Sequence, residues 1–175
     1  MNGLFIGRFQ PFHKGHLSAI EQALTEVDHL YIGIGSSEEN FRPTNPFTCA
    51  ERIQMITAAL KEAKIAPANY TMIPVPNIHN FALWPDHVEL YVPPFENLYT
   101  GSEVVKTLYQ TINQKRKKPY LICEVHKEFD VSSTEIRQLL LEQKSWQHLV
   151  PPVIADLLKK WRTGERLKAI QEAEK

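Results

Sequence analysis

The side chains best suited to chemistry are two histidines, His13 and His16, which follow the first apolar run of the chain. That run is Leu4-Phe5-Ile6-Gly7, and the loop after it reads Arg8-Phe9-Gln10-Pro11-Phe12-His13-Lys14-Gly15-His16. A strand, a glycine-bearing loop and a helix start together turn backbone N–H groups and the positive end of a helix dipole toward an anion. Because the histidines and Arg8 add further donors, the stretch predicts a phosphate site.

A purely structural role for the same residues is the alternative. His13 would cap the loop and His16 the helix, while Arg8 would lie in solvent. That alternative leaves unexplained why two histidines flank Lys14-Gly15 directly after a strand, so we prefer the phosphate site. Gly15 would then remove a side chain that blocks the approach of a phosphate to the backbone.

The spacing of apolar residues predicts the helices and strands that must hold this loop. Residues 15–27 have the periodicity of an amphipathic helix, and 29–35 form an apolar run of strand length. A strand, a helix and a second buried strand make a βαβ unit, which implies a parallel sheet. Further strands are predicted over 70–75, 95–102 and 119–125. Helices are predicted after Thr48, Ser102 and Ser133, and another from Pro151-Pro152.

These elements predict one α/β domain of about five strands over residues 1–175, with a C-terminal helix at about 151–165 packed on it. Thr48 and Glu51 have the spacing of a capping box at the start of their helix. Ser132-Ser133-Thr134 are typical of a plain N-cap before another helix. The charged tail beyond Thr163 is expected to be frayed or to take part in assembly.

Composition narrows the function classes. The 175 residues include 20 basic and 20 acidic side chains, which argues against a general polyanion binder such as a nucleic-acid-binding protein. Cys49 and Cys123 are far apart in the sequence, so neither a disulfide scaffold nor structural zinc is expected. No apolar run approaches the roughly 18 residues of a membrane span, and no signal peptide is seen. We therefore expect a cytoplasmic protein without membrane partners.

Two motifs carry a resemblance to a known family. Gly7 to His16 is similar to the GxFxPxHxGH signature of the nucleotidyltransferase superfamily, and Val131-Ser132-Ser133-Thr134-Glu135-Ile136-Arg137 is similar to its second signature, (I/V)SSTxxR. The form GRFQPFHxGH resembles that of archaeal-type nicotinamide-nucleotide adenylyltransferases. The resemblance runs from residue 3 to about 165. It implies a nucleotidylyl transferase fold, which is a Rossmann-like parallel sheet with helices on both faces.

The family implies adenylyl transfer, in which the phosphate of nicotinamide mononucleotide (NMN) attacks the α-phosphorus of ATP and gives NAD and pyrophosphate. Such a reaction needs charge neutralisation and in-line positioning rather than a nucleophilic side chain. The resemblance implies a catalytic role for His13, His16 and Arg137. It also implies ATP contacts from these three and from Gly7, Arg8, Phe9, Gly15, Ser132, Ser133 and Thr134. Mg²⁺ would be held mainly by phosphate oxygens and water, without protein ligands.

For the acceptor site the resemblance implies Arg8, Arg52, Asn80 and Trp84, with Trp84 stacked on the pyridine ring. Arg52 could instead pair with Glu51 or Glu38, and Trp84 could be a core residue. The family also implies a homo-oligomer.

The sequence departs from the family pattern near the acceptor residues. Phe81 stands where the family has an asparagine that recognises the carboxamide, and Asn80 lies one position early. Asn77 replaces an aspartate, and Arg42 lies in a loop that differs from the family's. Nicotinic acid mononucleotide or another phosphorylated acceptor therefore remains an alternative. A non-catalytic nucleotide sensor is a second one, against which the intact His13, His16 and Arg137 weigh.

Overall fold

The computed structural model describes residues 1–126 and 128–174. The strands are β1 (Asn2–Gly7), β2 (His29–Gly35), β3 (Tyr70–Val75), β4 (Asn97–Thr100) and β5 (Leu121–Glu124). The helices are α1 (Lys14–Leu24), α2 (Cys49–Glu62), α3 (Trp84–Tyr91), α4 (Glu103–Asn113), α5 (Ser133–Leu141), α6 (Pro152–Lys160) and α7 (Thr163–Ala173). Short 3₁₀ turns cover Pro67–Asn69 and Gln147–Leu149.

The five strands form one parallel sheet in the order β3-β2-β1-β4-β5. β1 lies at its centre, where Gly3 is paired with Leu30 on one side and with Asn97 on the other. Since parallel strands need crossover connections, helices separate them along the chain. The predicted α/β, Rossmann-like fold is confirmed.

The strand order reverses between β1 and β4. Sheets of this kind bind ligands outside the carboxyl ends of the strands at such a reversal. Gly7 ends β1 and Thr100 ends β4. The loop that carries the two histidines therefore starts at the position in the sheet where a ligand is expected.

The described residues fall into two compact units, each made of three stretches of chain. The first takes 1–7, 19–36 and 67–126, and holds the whole sheet with α3 and α4. The second takes 8–18, 37–66 and 128–174, and holds α2, α5, α6 and α7. α1 begins in the second unit and ends in the first. A single domain over 1–175 stays a prediction.

The predicted helix caps are observed. Thr48 accepts the backbone N–H of Glu51 at 3.2 Å, and the Glu51 carboxylate accepts the backbone N–H of Thr48 at 2.9 Å, which completes the capping box. Ser102 caps α4 and Ser132 caps α5 through their side chains. α1 ends at Leu24, earlier than expected, because the N–H groups of Thr25 and Glu26 bond to carbonyls only three residues back.

The expectation of a frayed tail beyond Thr163 is wrong. The chain turns at Arg162, whose φ is 51°, so the predicted helix at about 151–165 is two helices, α6 and α7. α7 buries Leu167 and Ile170 within the second unit. Arg166 also donates two hydrogen bonds to the Glu51 carboxylate, at 2.9 and 2.7 Å.

Among the described residues, no helix has the length and apolarity that a membrane crossing requires. Cytoplasmic location stays a prediction.

Candidate active site

His13 and His16 cap each other at the start of α1. The Nδ1 atom of His13 accepts the backbone N–H of His16 at 3.3 Å, and the Nδ1 atom of His16 accepts the backbone N–H of His13 at 3.2 Å. His13 is thus the N-cap residue and His16 the third residue of the helix, so the pair forms a capping box built from two imidazoles. Since each Nδ1 accepts a hydrogen bond, each neutral ring carries its proton on Nε2.

The two imidazoles are also packed as rings. Their centroids are 3.6 Å apart with an interplanar angle of 20°, and the His16 ring further contacts Phe9 at 4.8 Å and Phe12 at 5.5 Å. Burial lowers the pKa of His13 from 6.5 to about 4. Burial of the His16 ring, although the residue keeps some exposed surface, lowers its pKa well below the ordinary value, and the nearby His13 lowers it further. Both rings are therefore neutral Nε2–H donors at neutral pH.

Arg137 is anchored beside this pair. One guanidinium nitrogen, Nη1, donates to the Gln10 carbonyl at 2.7 Å, and Nη2 donates to the Thr134 hydroxyl at 3.2 Å. The residue is only 7% exposed. Burial lowers the pKa of Arg137, and the charge of Arg8 adds to that effect, although an arginine retains its charge under such conditions.

The hydroxyls at the start of α5 already have partners. The Ser132 hydroxyl accepts the backbone N–H of Glu135 at 3.1 Å, as an N-cap does. The Ser133 hydroxyl donates to the Pro11 carbonyl at 2.9 Å, which fixes the α5 start to the loop before α1. Neither serine contacts a base that would activate it in these hydrogen bonds, so their arrangement is that of ligand-positioning groups rather than nucleophiles.

All these groups line one cavity of about 270 Å³ within the second unit. Its lining is Arg8, Phe9, Gln10, His13, His16, Val131, Ser132, Ser133, Thr134 and Arg137. The N-termini of two helices, α1 and α5, therefore meet at this cavity and bring their positive dipole ends to it. In the described part of the chain, the lining contains two arginines and no carboxylate. Such a cavity is electrostatically suited to a polyphosphate.

The donor set of the cavity does not suit a divalent metal held by the protein. Mg²⁺ prefers oxygen ligands, chiefly carboxylates, and the cavity lining offers only hydroxyl and amide side-chain oxygens. The hydroxyls of Ser133 and Thr134 are engaged with the protein. A metal ion would have to arrive with the phosphates that it neutralises.

Gly15 is packed closely against the side chain of its own capping residue. A Cβ at this position would lie 3.2 Å from two atoms of the His13 ring and 3.3 Å from Val131. A side chain here would press on the stacked imidazoles, which gives a reason for the glycine besides the predicted approach of a phosphate. Phe9, a predicted ATP contact, lies in the left-handed region with φ 54° and is buried, a conformation that often accompanies ligand sites.

Arg52, predicted to contact the acceptor, is fully buried in the second unit. Its guanidinium donates to the carbonyls of Arg8 at 3.2 Å, Ser37 at 3.3 Å and Thr48 at 3.4 Å. Burial lowers the pKa of Arg52, and the charges of nearby acidic groups partly offset that effect. Glu51, the alternative partner, is instead bonded by Arg166 and Thr48. Arg52 thus ties the loop after β1 to the start and the end of the connection between β2 and α2.

Of the other predicted acceptor residues, Arg8 belongs to the second unit and lines the cavity, whereas Asn80 and Trp84 belong to the first unit, as does Gly7. Trp84 is half-buried at the start of α3 and packs on the core of that unit. Asn80 is exposed, and its side-chain oxygen accepts the Ala82 N–H at 3.1 Å. Asn77 bonds the backbone N–H of His79 at 3.0 Å, while Phe81 is 70% exposed.

Gln10 is the residue that sequence reasoning missed. Its amide exchanges two hydrogen bonds with the backbone of Phe47, at 3.1 and 2.9 Å, and its carbonyl holds Arg137. It is buried, with 1% exposure. The sequence did contain a signal for this role, because Gln10 is a polar residue flanked by Phe9, Pro11 and Phe12. Arg42, whose role the sequence left open, pairs with Glu174 at 3.5 Å.

Known proteins share this fold, and relatives are similar to this chain over nearly its whole length. The cytidylyltransferase-like family model matches residues 4–139, and the chain belongs to that family of nucleotidyltransferases. Among relatives, the nicotinamide-nucleotide adenylyltransferase of Methanococcus vannielii is 40% identical over 98% of this chain and 96% of its own. That of Pyrobaculum arsenaticum is 39% identical over 99% and 96%. Within the family, the chain therefore belongs with the nicotinamide-nucleotide adenylyltransferases.

Solved structures agree with the fold. A bifunctional NMN adenylyltransferase/ADP ribose pyrophosphatase from Francisella tularensis superposes with a TM-score of 0.79 at 23% identity, over 97% of this chain and 52% of that one. The same enzyme has been crystallised with AMP and a manganese ion. A nicotinic acid mononucleotide adenylyltransferase from Plasmodium falciparum superposes with a TM-score of 0.65 at 14% identity, over 94% and 96%.

Proposed function

We propose that this protein transfers the adenylyl group of magnesium-bound ATP to NMN, giving NAD and pyrophosphate. The observation that carries the proposal is the cavity at which two helix N-termini, two arginines and two Nε2–H imidazoles meet without a carboxylate. A triphosphate is the ligand class that such a donor set fits. The relatives named for this reaction, at about 40% identity over nearly the whole chain, support the choice of acceptor.

In this proposal an oxygen of the NMN phosphate attacks the α-phosphorus of ATP. The bond from the α-phosphorus to its bridging oxygen breaks, and pyrophosphate leaves with that electron pair. The nucleophile is already an anion, so no general base is needed. His16 and His13 donate Nε2–H bonds to phosphate oxygens, Arg8 contacts the α-phosphate, and Arg137 neutralises the leaving pyrophosphate.

Ser132, Ser133 and Thr134 act mainly by holding the α5 start and Arg137 in place, as their hydrogen bonds within the protein suggest. Backbone N–H groups at the starts of α1 and α5 would contact the phosphates. The Mg²⁺ ion belongs to the substrate in this account and neutralises charge on it, since the cavity lining offers no carboxylate.

Trp84 would stack on the pyridine ring of the acceptor, and Asn80 would contact the same nucleotide. Arg52 would serve the acceptor phosphate indirectly, because its guanidinium is buried and holds the Arg8 carbonyl. Arg8 would make the direct contact. We also propose a homo-oligomer, which light scattering of the purified protein would test.

A pyrophosphate-release assay with a panel of acceptors tests the proposal. ATP and Mg²⁺ are combined with NMN, with nicotinic acid mononucleotide or with adenosine monophosphate. Release with NMN at a higher kcat/KM than with the other two supports the proposal. Because the Asn80 side chain already bonds within a local turn, nicotinic acid mononucleotide is the second candidate for the acceptor. Faster release of pyrophosphate with nicotinic acid mononucleotide than with NMN would show that it is the acceptor instead of NMN. Release with none of them would favour a nucleotide sensor.

A further inference from the structure

Trp84 is supported from within the first unit by an aromatic cluster. It is the first residue of α3 and is half-buried against the core residues of that unit. Its ring lies perpendicular to the ring of Tyr109, with centroids 6.3 Å apart and an interplanar angle of 86°. Edge-to-face contacts of this kind fix the orientation of both rings as well as their separation. A change at Tyr109 therefore acts on Trp84 directly.

Tyr109 is in turn held on its other sides. Its ring lies 6.4 Å from Phe95 and 5.3 Å from Tyr120, and those two rings stack on each other at 4.6 Å. The guanidinium of Arg116 covers Tyr120 at 4.4 Å and bonds Glu89 at 2.7 Å. Because Tyr109 is fully buried, close packing allows its ring little freedom to move.

The Tyr109 hydroxyl makes no contribution of its own to this support. Among the described residues it has no hydrogen-bond partner, although it is buried. Burial also raises the pKa of Tyr109, so the hydroxyl stays protonated. A buried hydroxyl without a partner is unfavourable. Whatever Tyr109 supplies to Trp84 comes from its ring.

We infer that Tyr109 is a positioning residue for the acceptor nucleotide, since its ring sets the orientation in which Trp84 meets the pyridine. The inference rests on the proposed function, which places Trp84 on that ring. Tyr109 acts through Trp84 and touches no reacting atom. Its loss therefore weakens acceptor binding and leaves ATP binding unchanged, because the proposed ATP cavity belongs to the other unit.

The test compares three variants with the wild type, using NMN and ATP as the probes. Tyr109→Leu removes the ring, and Tyr109→Phe removes only the hydroxyl. Phe95→Leu is the matched control, because Phe95 packs on Tyr109 and Tyr120 and none of its ring contacts in the described residues is with Trp84. Steady-state kinetics give KM for each substrate and kcat, and thermal unfolding gives the stability of each variant.

We expect Tyr109→Leu to raise the KM for NMN about 3- to 10-fold, the scale of one lost aromatic pair, with the KM for ATP within about twofold. Tyr109→Phe should match the wild type in both constants. Phe95→Leu should lower the melting temperature and raise the KM for NMN by less than Tyr109→Leu does, because the ring of Tyr109 stays against Trp84. An equal rise in this KM for Phe95→Leu and Tyr109→Leu would overturn the inference, as would no rise for Tyr109→Leu.

Trp84→Ala separates this inference from the function on which it rests. If Trp84→Ala raises the KM for NMN and Tyr109→Leu does not, only the role of Tyr109 is wrong. If Trp84→Ala leaves that KM unchanged, the stacking role of Trp84 in the proposed function is wrong, and the inference is overturned with it.

Discussion

The imidazoles of His13 and His16 are stacked 3.6 Å apart, and each Nδ1 accepts the backbone N–H of the other residue. One pair of side chains thus satisfies two of the backbone donors that a helix start leaves unbonded. The same bonds place the ring proton on Nε2 in both residues. Structural capping and ligand binding therefore use different nitrogens of the same rings.

Replacement of His16 separates these two uses. Asn presents an acceptor near the position of the histidine Nδ1 but nothing in place of Nε2–H. We expect His16→Asn to unfold within about 1 kcal/mol of the wild type, since the cap is retained, and to lose about 10²-fold or more in kcat, the cost of one transition-state donor. His16→Ala should lose the cap as well as the activity. Urea unfolding and NAD formation measure the two effects, and near-wild-type turnover of His16→Asn would contradict the assignment.

His13 makes stability depend on pH. Its folded-state pKa of about 4 lies below the unfolded value of 6.5, so the unfolded chain binds the extra proton between these values. Stability is therefore greatest above pH 6.5 and falls as the pH drops toward 4, by up to about 3 kcal/mol from this residue. His13→Asn should flatten the dependence of the free energy of unfolding on pH over that window. An unchanged slope between pH 7.5 and pH 5 would contradict the burial effect.

Arg137 should not tolerate lysine. Its two nitrogens donate to the Gln10 carbonyl and the Thr134 hydroxyl, and a single ammonium cannot reproduce that planar fork. We expect Arg137→Lys to lower kcat/KM for ATP by about 10²-fold, measured at saturating NMN. Arg162→Lys, at an exposed position that binds Glu165, is the control and should change kcat/KM by less than about twofold.

The contact between Arg166 and Glu51 should fix α7 in place. Both side chains are mostly buried at 20% exposure, and the pair is bidentate. Arg166→Met should lower the free energy of unfolding by about 1 to 3 kcal/mol, because it leaves the Glu51 carboxylate partly unpaired. Arg162→Met breaks only an exposed pair with Glu165 and should cost less than about 1 kcal/mol. Equal effects would show that α7 does not depend on the buried pair.

The strands and caps were predictable because each depends on local pattern. β2 has the predicted bounds, and the Thr48 capping box forms between residues three apart. α7 was not predictable in this way, since Leu167 and Ile170 are its only buried apolar side chains in the described residues. The ion pair that holds α7 comes from Glu51, far away in sequence.

The sequence identified the residues of the site, but it did not predict their burial or their hydrogen-bond partners. The spacing of His13 and His16 indicated an anion site, yet their reciprocal cap depends on the loop geometry before α1. Nothing in the sequence distinguishes a solvent-facing Arg52 from the buried one, whose carbonyl partners lie 4, 15 and 44 residues away along the chain. Burial of a charged side chain is a property of the assembled loops.

Transfer of labelled phosphate from ATP distinguishes adenylyl transfer from ATP hydrolysis. The protein is incubated with NMN, Mg²⁺ and ATP that is radiolabelled either at the α- or at the γ-phosphate. We expect the α-label to appear in NAD and the γ-label in pyrophosphate, in equal amounts, because the bond between the α-phosphorus and its bridging oxygen breaks. Absence of the α-label from any dinucleotide, or release of the γ-label as inorganic phosphate, would contradict adenylyl transfer.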